Sequence, residues 1–101
     1  MKINIQSIKF DSTKKLDEYI NKKVGKLEKH FDEILTVDVF LKVIKPETAI
    51  NKEAEIKISA PNTEFFAAKV SDTFEQSIDQ CIEALEKQIK NLNSISEIQS
   101  K

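Results

Sequence analysis

The chain has 101 residues, 40% of them hydrophobic and 33% charged, and its 16 basic and 17 acidic side chains leave a formal net charge of −1. That length is expected to give one domain whose modest core needs neither metal nor disulfide; the single cysteine, Cys81, excludes an internal disulfide and fits a reducing cytosol. The balance excludes a globally basic nucleic-acid binder, so any electropositive site must be local, and no stretch is long and apolar enough for a signal peptide or the roughly 20 residues of a membrane span.

Residues Lys2 to Ser7 alternate, with Ile3 and Ile5 on one side, and predict a first strand. Between Asp11 and Ile34, the apolar residues Leu16, Ile20, Val24, Leu27, Phe31 and Ile34 recur at steps of three and four. This spacing predicts a long helix with one buried stripe, and Asp11, Ser12 or Thr13 can supply its N-cap. The charges on that helix divide. Lys15, Lys22, Lys26 and Lys29 lie along one flank of the stripe, with Tyr19, Lys23 and His30 at its border. Asp17, Glu18, Glu28 and Asp32 fall on the other flank and the back. A solvated face explains such a pattern; so does a phosphate backbone, whose binding releases counterions. Gly25, the only glycine, is expected mid-helix opposite the stripe, at a cost of about 1 kcal/mol relative to alanine.

Thr36 to Lys45 reads as a second strand, with Val37, Val39, Leu41 and Val43 on one side and Asp38, Phe40, Lys42 and Ile44 on the other. The segment from Pro46 to Asn51 is a loop. Lys52 to Ser59 alternates again, setting Ala54, Ile56 and Ile58 against Glu53, Glu55 and Lys57. Ala60-Pro61-Asn62-Thr63 marks a turn, and Glu64 to Val70 a fourth strand with apolar residues on both faces, so its facing stays open. Asp72 and Glu75 form a capping-box-like start for a second helix. Its stripe is Phe74, Ile78, Cys81, Leu85, Ile89 and Leu92, with Ile82 alongside. Ile95 and Ile98 can extend that helix beyond Asn93 into an otherwise polar, serine-rich end.

The expected order is β-α-β-β-β-α. A strand–helix–strand crossover makes the first two strands parallel, and the short connections that follow favour antiparallel neighbours. The fold class is therefore α+β: a two-layer sandwich with both helices packed on one face of a four-stranded mixed sheet. A single domain is expected over residues 1–93, with 94–101 a short polar tail. The expected core includes Leu16, Ile20, Leu27, Phe31, Val39, Leu41, Ile56, Ile78, Cys81 and Leu85.

The chemistry inventory is sparse. One histidine and one cysteine exclude metal sites built from several imidazoles or thiolates. One glycine excludes a glycine-rich phosphate loop. Cys81 lies on the apolar stripe, where an inert thiol is usual, so a Cys81–His30 nucleophilic pair is disfavoured. The expectation is no catalytic residues, no metal, no cofactor and no small-molecule substrate.

The opening residues 1–34 resemble the ribosome hibernation-promoting factors and ribosome-associated translation inhibitors, also called the sigma-54 modulation protein family. The likeness is strongest at Lys26-Leu27-Glu28-Lys29 followed by Phe31. It continues through Val37, Val39, Leu41 and Val43, and returns at Ile78-Asp79 and Leu85-Glu86-Lys87-Gln88-Ile89. It covers nearly the whole chain. The resemblance implies a non-enzymatic cytoplasmic protein, made in stationary phase or stress, that binds the small ribosomal subunit in its mRNA and tRNA channel and inhibits translation sterically. It implies contacts to small-subunit rRNA by Lys23, Lys26 and Lys29 of the first helix and Lys87 and Lys90 of the second; Lys22 and His30 join them as neighbours on the helical wheel. Longer members add a C-terminal domain that pairs ribosomes, and the present chain is expected to lack it.

The chain also departs from the family. Asn91, Leu92, Asn93 and Ser94 stand where a basic run is usual, Ala84 where a lysine is common, and Thr73-Phe74-Glu75 where an acid–methionine–tyrosine sequence is usual. Asp72, Glu75, Asp79, Glu83 and Glu86 outnumber Lys87 and Lys90. The second function class is thus a protein-interaction domain using the acidic second helix, or Phe40 and Ile44 on the open sheet face. General double-stranded RNA binding ranks third, because no second basic cluster is spaced for a distant groove.

Overall fold

The computed structural model describes residues 2–8, 13–29, 31, 33–45 and 49–99, with side chains placed up to Asn91. The elements are β1 (Lys2–Ile8), α1 (Lys14–Gly25) running into a 3₁₀ turn (Lys26–Lys29), β2 (Thr36–Val43), β3 (Lys52–Ala60), β4 (Thr63–Ser71) and α2 (Phe74–Gln99). The sheet order is β1-β2-β3-β4. β1 and β2 are parallel, with Ile5 beside Val39, and the other two pairs are antiparallel. The β-α-β-β-β-α order and the two-layer α+β architecture are those the periodicity predicts.

Side chains alternate across a strand, so pairing register decides which residues share a face. Val37, Val39 and Leu41 line up with Ile58, Ile56 and Ala54, and all are buried in one core with Leu16, Ile20, Val24 and Leu27 of the first helical segment and Ile78, Cys81, Leu85 and Ile89 of α2. The register also settles β4. Phe65 pairs with Ile58 and Ala67 with Ile56, so these two point inward, while Phe66, Ala68 and Val70 face the open side. Phe66 is left 54% exposed. Pro61 and Asn62 join β3 to β4; proline at the first central position and φ 65° at Asn62 are the combination of a type II turn.

The first helix ends earlier than its periodicity suggests. It closes at Gly25, and the backbone tightens into 3₁₀ geometry over Lys26–Lys29. Gly25 therefore stands at a helix junction, not mid-helix. Leu27 stays fully buried, so the apolar pattern survives a change of helix type. Beyond the turn Phe31 leaves the stripe and meets Phe65 of β4 edge-on, with ring centroids 5.7 Å apart. Its ring is half-buried, whereas the nine other expected core residues are buried.

Both helix starts are capped by threonine. Thr13 Oγ1 accepts from the Leu16 N–H at 3.1 Å; Asp11 and Ser12, the other candidate caps, lie outside the described residues. At α2 the cap is Thr73, whose Oγ1 accepts from the Gln76 N–H at 3.1 Å, and not Asp72. A threonine followed three residues later by glutamine is itself a capping-box sequence. One turn on, the buried Ser77 hydroxyl lies 2.6 Å from the Lys52 carbonyl oxygen and 2.7 Å from Ser71 Oγ, fastening α2 to β3 and β4. The helix continues past Asn93 to Gln99. Pro46, Glu47 and Thr48 of the expected loop lie outside the described residues.

The direction of α2 follows from its contacts. Ser77 meets Ser71, Cys81 lies over Ala67 and Gln88 reaches the Phe66 carbonyl, so α2 runs antiparallel to β4. β4 is parallel to β1, because two antiparallel pairings separate it from β2. α1, returning from the end of β1 to the start of β2, also opposes that direction. The two helices are therefore parallel, and their C-terminal halves lie at the same end of the molecule. Among the described residues, no helix is long and apolar enough to cross a membrane.

Candidate nucleic-acid interface

Tyr19 and Lys23, one helical turn apart on α1, both reach Asp79 of α2. The Tyr19 hydroxyl donates to Asp79 Oδ1 at 2.7 Å. Lys23 Nζ lies 3.7 Å from the same carboxylate and 5.4 Å from the centre of the Tyr19 ring. The phenol is held in its protonated form: burial, then the hydrogen bond to Asp79, then the negative charges of Asp79 and Glu75 push its pKa from 10.0 up to about 12.

This clamp orients the lysine flank. Tyr19 and Lys23 face α2, so the neighbouring positions on the wheel, Lys15, Lys22 and Lys26, lie on the flank of α1 nearer α2. Asp17 and Glu28 take the far side. The 3₁₀ turn adds a local effect. With three residues per turn, side chains three apart eclipse, which stacks Lys26 and Lys29 on one line. Lys22, Lys26 and Lys29 are exposed, and none has an ion-pair partner among the described residues. Cations at the end of a helix also complement its macrodipole, a purely structural use for them.

On α2 the two candidate lysines diverge. Lys90 lies on the side of the helix that carries Asp79, three turns further on, towards α1. Lys87 leans the other way and lines a cleft of about 420 Å³ with Lys69 of β4, Gln80, Glu83 and Ala84. The structure thus sets Lys22, Lys26 and Lys29 along one flank of the first helical segment, Lys90 three turns beyond Asp79 on α2, and Lys87 on the outer flank of α2. Lys23 is occupied by Asp79. His30 lies outside the described residues.

Lys69 is a basic residue that periodicity does not single out. It has the inward parity of Phe65, Ala67 and Ser71 yet is exposed, lining a cleft at the outer edge of α2, which meets β4 on either side of it at Ala67 and Ser71. Only the pairing of β4 with β3 and the path of α2 reveal it.

Cys81 is fully buried. Its thiol lies 3.3 Å from the Ala54 carbonyl oxygen, and burial pushes its pKa up to about 12. A thiol so protonated and inaccessible is no nucleophile. Among the described residues, no group of three or more His, Cys, Asp or Glu side chains is placed to hold a metal ion.

Two parallel helices on one face of a four-stranded mixed sheet, with exposed lysines along one flank of the first, define a two-layer α+β domain. The chain belongs to the family described as Sigma 54 modulation protein / S30EA ribosomal protein, which it matches over residues 3–94. It is 33% identical over 96 residues to the ribosome hibernation promoting factor of Azotobacter vinelandii, a match covering 89% of this chain and 88% of that protein. A ribosome hibernation promoting factor of Pseudomonas putida is 29% identical over 90 residues, covering 89% and 84%. In fold, the chain is similar to a ribosomal subunit interface protein from Coxiella burnetii, with a TM-score of 0.82 at 20% identity over 93% of this chain and 99% of that one. The N-terminal domain of Thermus thermophilus Protein Y gives a TM-score of 0.79 at 22% identity, covering 91% and 99%.

Proposed function

We propose that this protein is a cytoplasmic ribosome hibernation factor that binds the small ribosomal subunit and blocks translation by occupying the channel for mRNA and tRNA. The observation that carries this reading, beside membership of the family, is the row of exposed lysines on the first helical segment, Lys22, Lys26 and Lys29, with Lys90 exposed on α2, none of which has an ion-pair partner among the described residues. Their ammonium groups meet rRNA phosphates, and the bulk of the domain excludes other ligands. No bond is made or broken. Lys87 contributes from the outer flank of α2, and Lys23 joins only where phosphate outcompetes Asp79.

Co-sedimentation with small subunits over a series of salt concentrations tests the proposal. Changing Lys22, Lys26 and Lys29 together to glutamine should weaken binding and make the slope of log affinity against log salt shallower by roughly 0.7–0.9 for each phosphate no longer neutralised. Asp17→Asn with Glu28→Gln, on the far flank, should leave binding unchanged or slightly tighter. Equal binding by both variants would reduce the lysine flank to a solvated surface. Loss of binding in the acidic pair alone would point to a basic protein partner. That second reading has its own support on the open sheet face, where Phe66 is exposed and Phe40, with half-buried Ile44 further along, is incompletely covered.

A further inference from the structure

We propose that the cleft between β4 and the outer flank of α2 is a second phosphate-backbone contact, with Lys69 as its principal new residue. This inference rests on the ribosome-binding reading and adds a contact on the side of α2 away from α1. The cleft, about 420 Å³, is lined by Lys69, Gln80, Glu83, Ala84 and Lys87. Lys69 and Lys87 approach it from different elements and are both exposed. Neither has an ion-pair partner among the described residues, whereas Lys23 is held by Asp79 and Lys57 by Glu64. Gln80 adds an amide donor to the same wall, and Ala84 leaves the floor open where a longer side chain would fill it. Two lysines and an amide side chain lining one open cleft suit a phosphate oxygen, and Glu83 is the single opposing charge among the described residues of its lining.

The placement also says how the contact is made. α2 is roughly 10 Å across, so the cleft and the lysine flank of α1 are separated by at least that width. Glu75, Asp79 and Glu86 lie along the intervening side of α2 and repel a phosphate chain laid flat over it. Two separate stretches of backbone are therefore engaged, one at each basic line. Lys69 sits on an edge strand, where an inward-directed lysine can also discourage strand-to-strand pairing; the test separates the two roles.

Small-subunit binding of Lys69→Gln, Lys69→Arg, Glu83→Gln and the Lys22/Lys26/Lys29 triple glutamine variant is measured against salt, with the association state of each followed by sedimentation. Lys69→Gln should weaken binding and make the salt slope shallower by about 0.7–0.9. Lys69→Arg should bind as the unmodified protein does, and Glu83→Gln more tightly. If Lys69→Gln keeps both affinity and slope while the triple variant loses them, phosphate does not occupy the cleft and the α1 reading stands alone. Unchanged ribosome binding with new self-association in Lys69→Gln would assign Lys69 to edge protection and overturn the proposal. If neither Lys69→Gln nor the triple variant alters binding, the ribosomal reading falls and the cleft with it.

Discussion

The thiol of Cys81 and the hydroxyl of Ser77 sit one turn apart on the buried face of α2, and each uses a small polar group to seat the helix close to the sheet. Ser77 reaches the Lys52 carbonyl oxygen, and Cys81 lies over the carbonyl oxygens of Ala54 and Ala67 at 3.3 and 3.7 Å. The consequence for Cys81 is measurable. In the unfolded chain the thiol ionises near its ordinary 9.0; in the fold burial holds the proton to about 12. Its stabilising share is therefore complete below pH 9 and is lost as the pH rises towards 12. Over that window stability should fall by up to about 1.4 kcal/mol per pH unit from this group. Urea denaturation at pH 8 and pH 10 should show the decline, and Cys81→Ala, although less stable at neutral pH, should show a smaller one. A thiol reagent should modify the native protein only at the rate of unfolding; fast modification of the native state would place the thiol at the surface.

At the scale of elements, the α1 junction is open to improvement. A Cβ added to Gly25 meets nothing within 4 Å, and its φ is not positive. Gly25→Ala should therefore stabilise the fold by about 0.4–1 kcal/mol, through lower entropy of the unfolded chain, and raise the melting temperature by a few degrees. A loss of stability would mean that the junction needs a conformation alanine resists. The helix clamp gives a second test, because Tyr19 is the only tyrosine and an ultraviolet pH titration reads it alone. Its midpoint should lie near 12 and move towards 10.0 in Asp79→Ala. These cases also mark what the sequence makes legible. In β2 and β3 one face is apolar and the other carries charges (Asp38 and Lys42, with Phe40 between them, and Glu53, Glu55 and Lys57), so alternation alone identifies the core side. β4 has Phe65 and Phe66, Ala67 and Ala68 side by side, and only pairing with β3 tells them apart. The end of α1 is hidden because Leu27 is buried in an α-helix or a 3₁₀ turn alike. Tyr19 and Asp79 are 60 positions apart, and Lys69 joins Lys87 only through the packing of α2 on β4. Local periodicity carries no information on either meeting.

For the whole molecule, the decisive quantity is how much positive charge can reach one polyanion. All 16 basic residues are lysines, each a compact point charge without the planar fork with which arginine grips phosphate or guanine in two places. Sequence-specific reading of base edges is thus poorly served, and recognition by shape and phosphate position is favoured. With a net charge of −1, long-range attraction to RNA is weak and the bound state depends on short-range lysine contacts. The six lysines of the two proposed basic lines, Lys22, Lys26, Lys29, Lys69, Lys87 and Lys90, have no ion-pair partner among the described residues and set the expected limit. If each meets a phosphate, the slope of log affinity for small subunits against log salt should be no steeper than about −4 to −5. Titrations over a range of potassium chloride concentrations measure it directly. A slope near two-thirds of that value would leave the cleft idle and one near a third would leave the other line idle, and Lys69→Gln or the Lys22/Lys26/Lys29 variant would confirm which. A steeper slope would require cations from outside this set, first of all Lys23 released from Asp79. In that case Asp79→Asn, which frees Lys23 in advance, should raise affinity without changing the slope further.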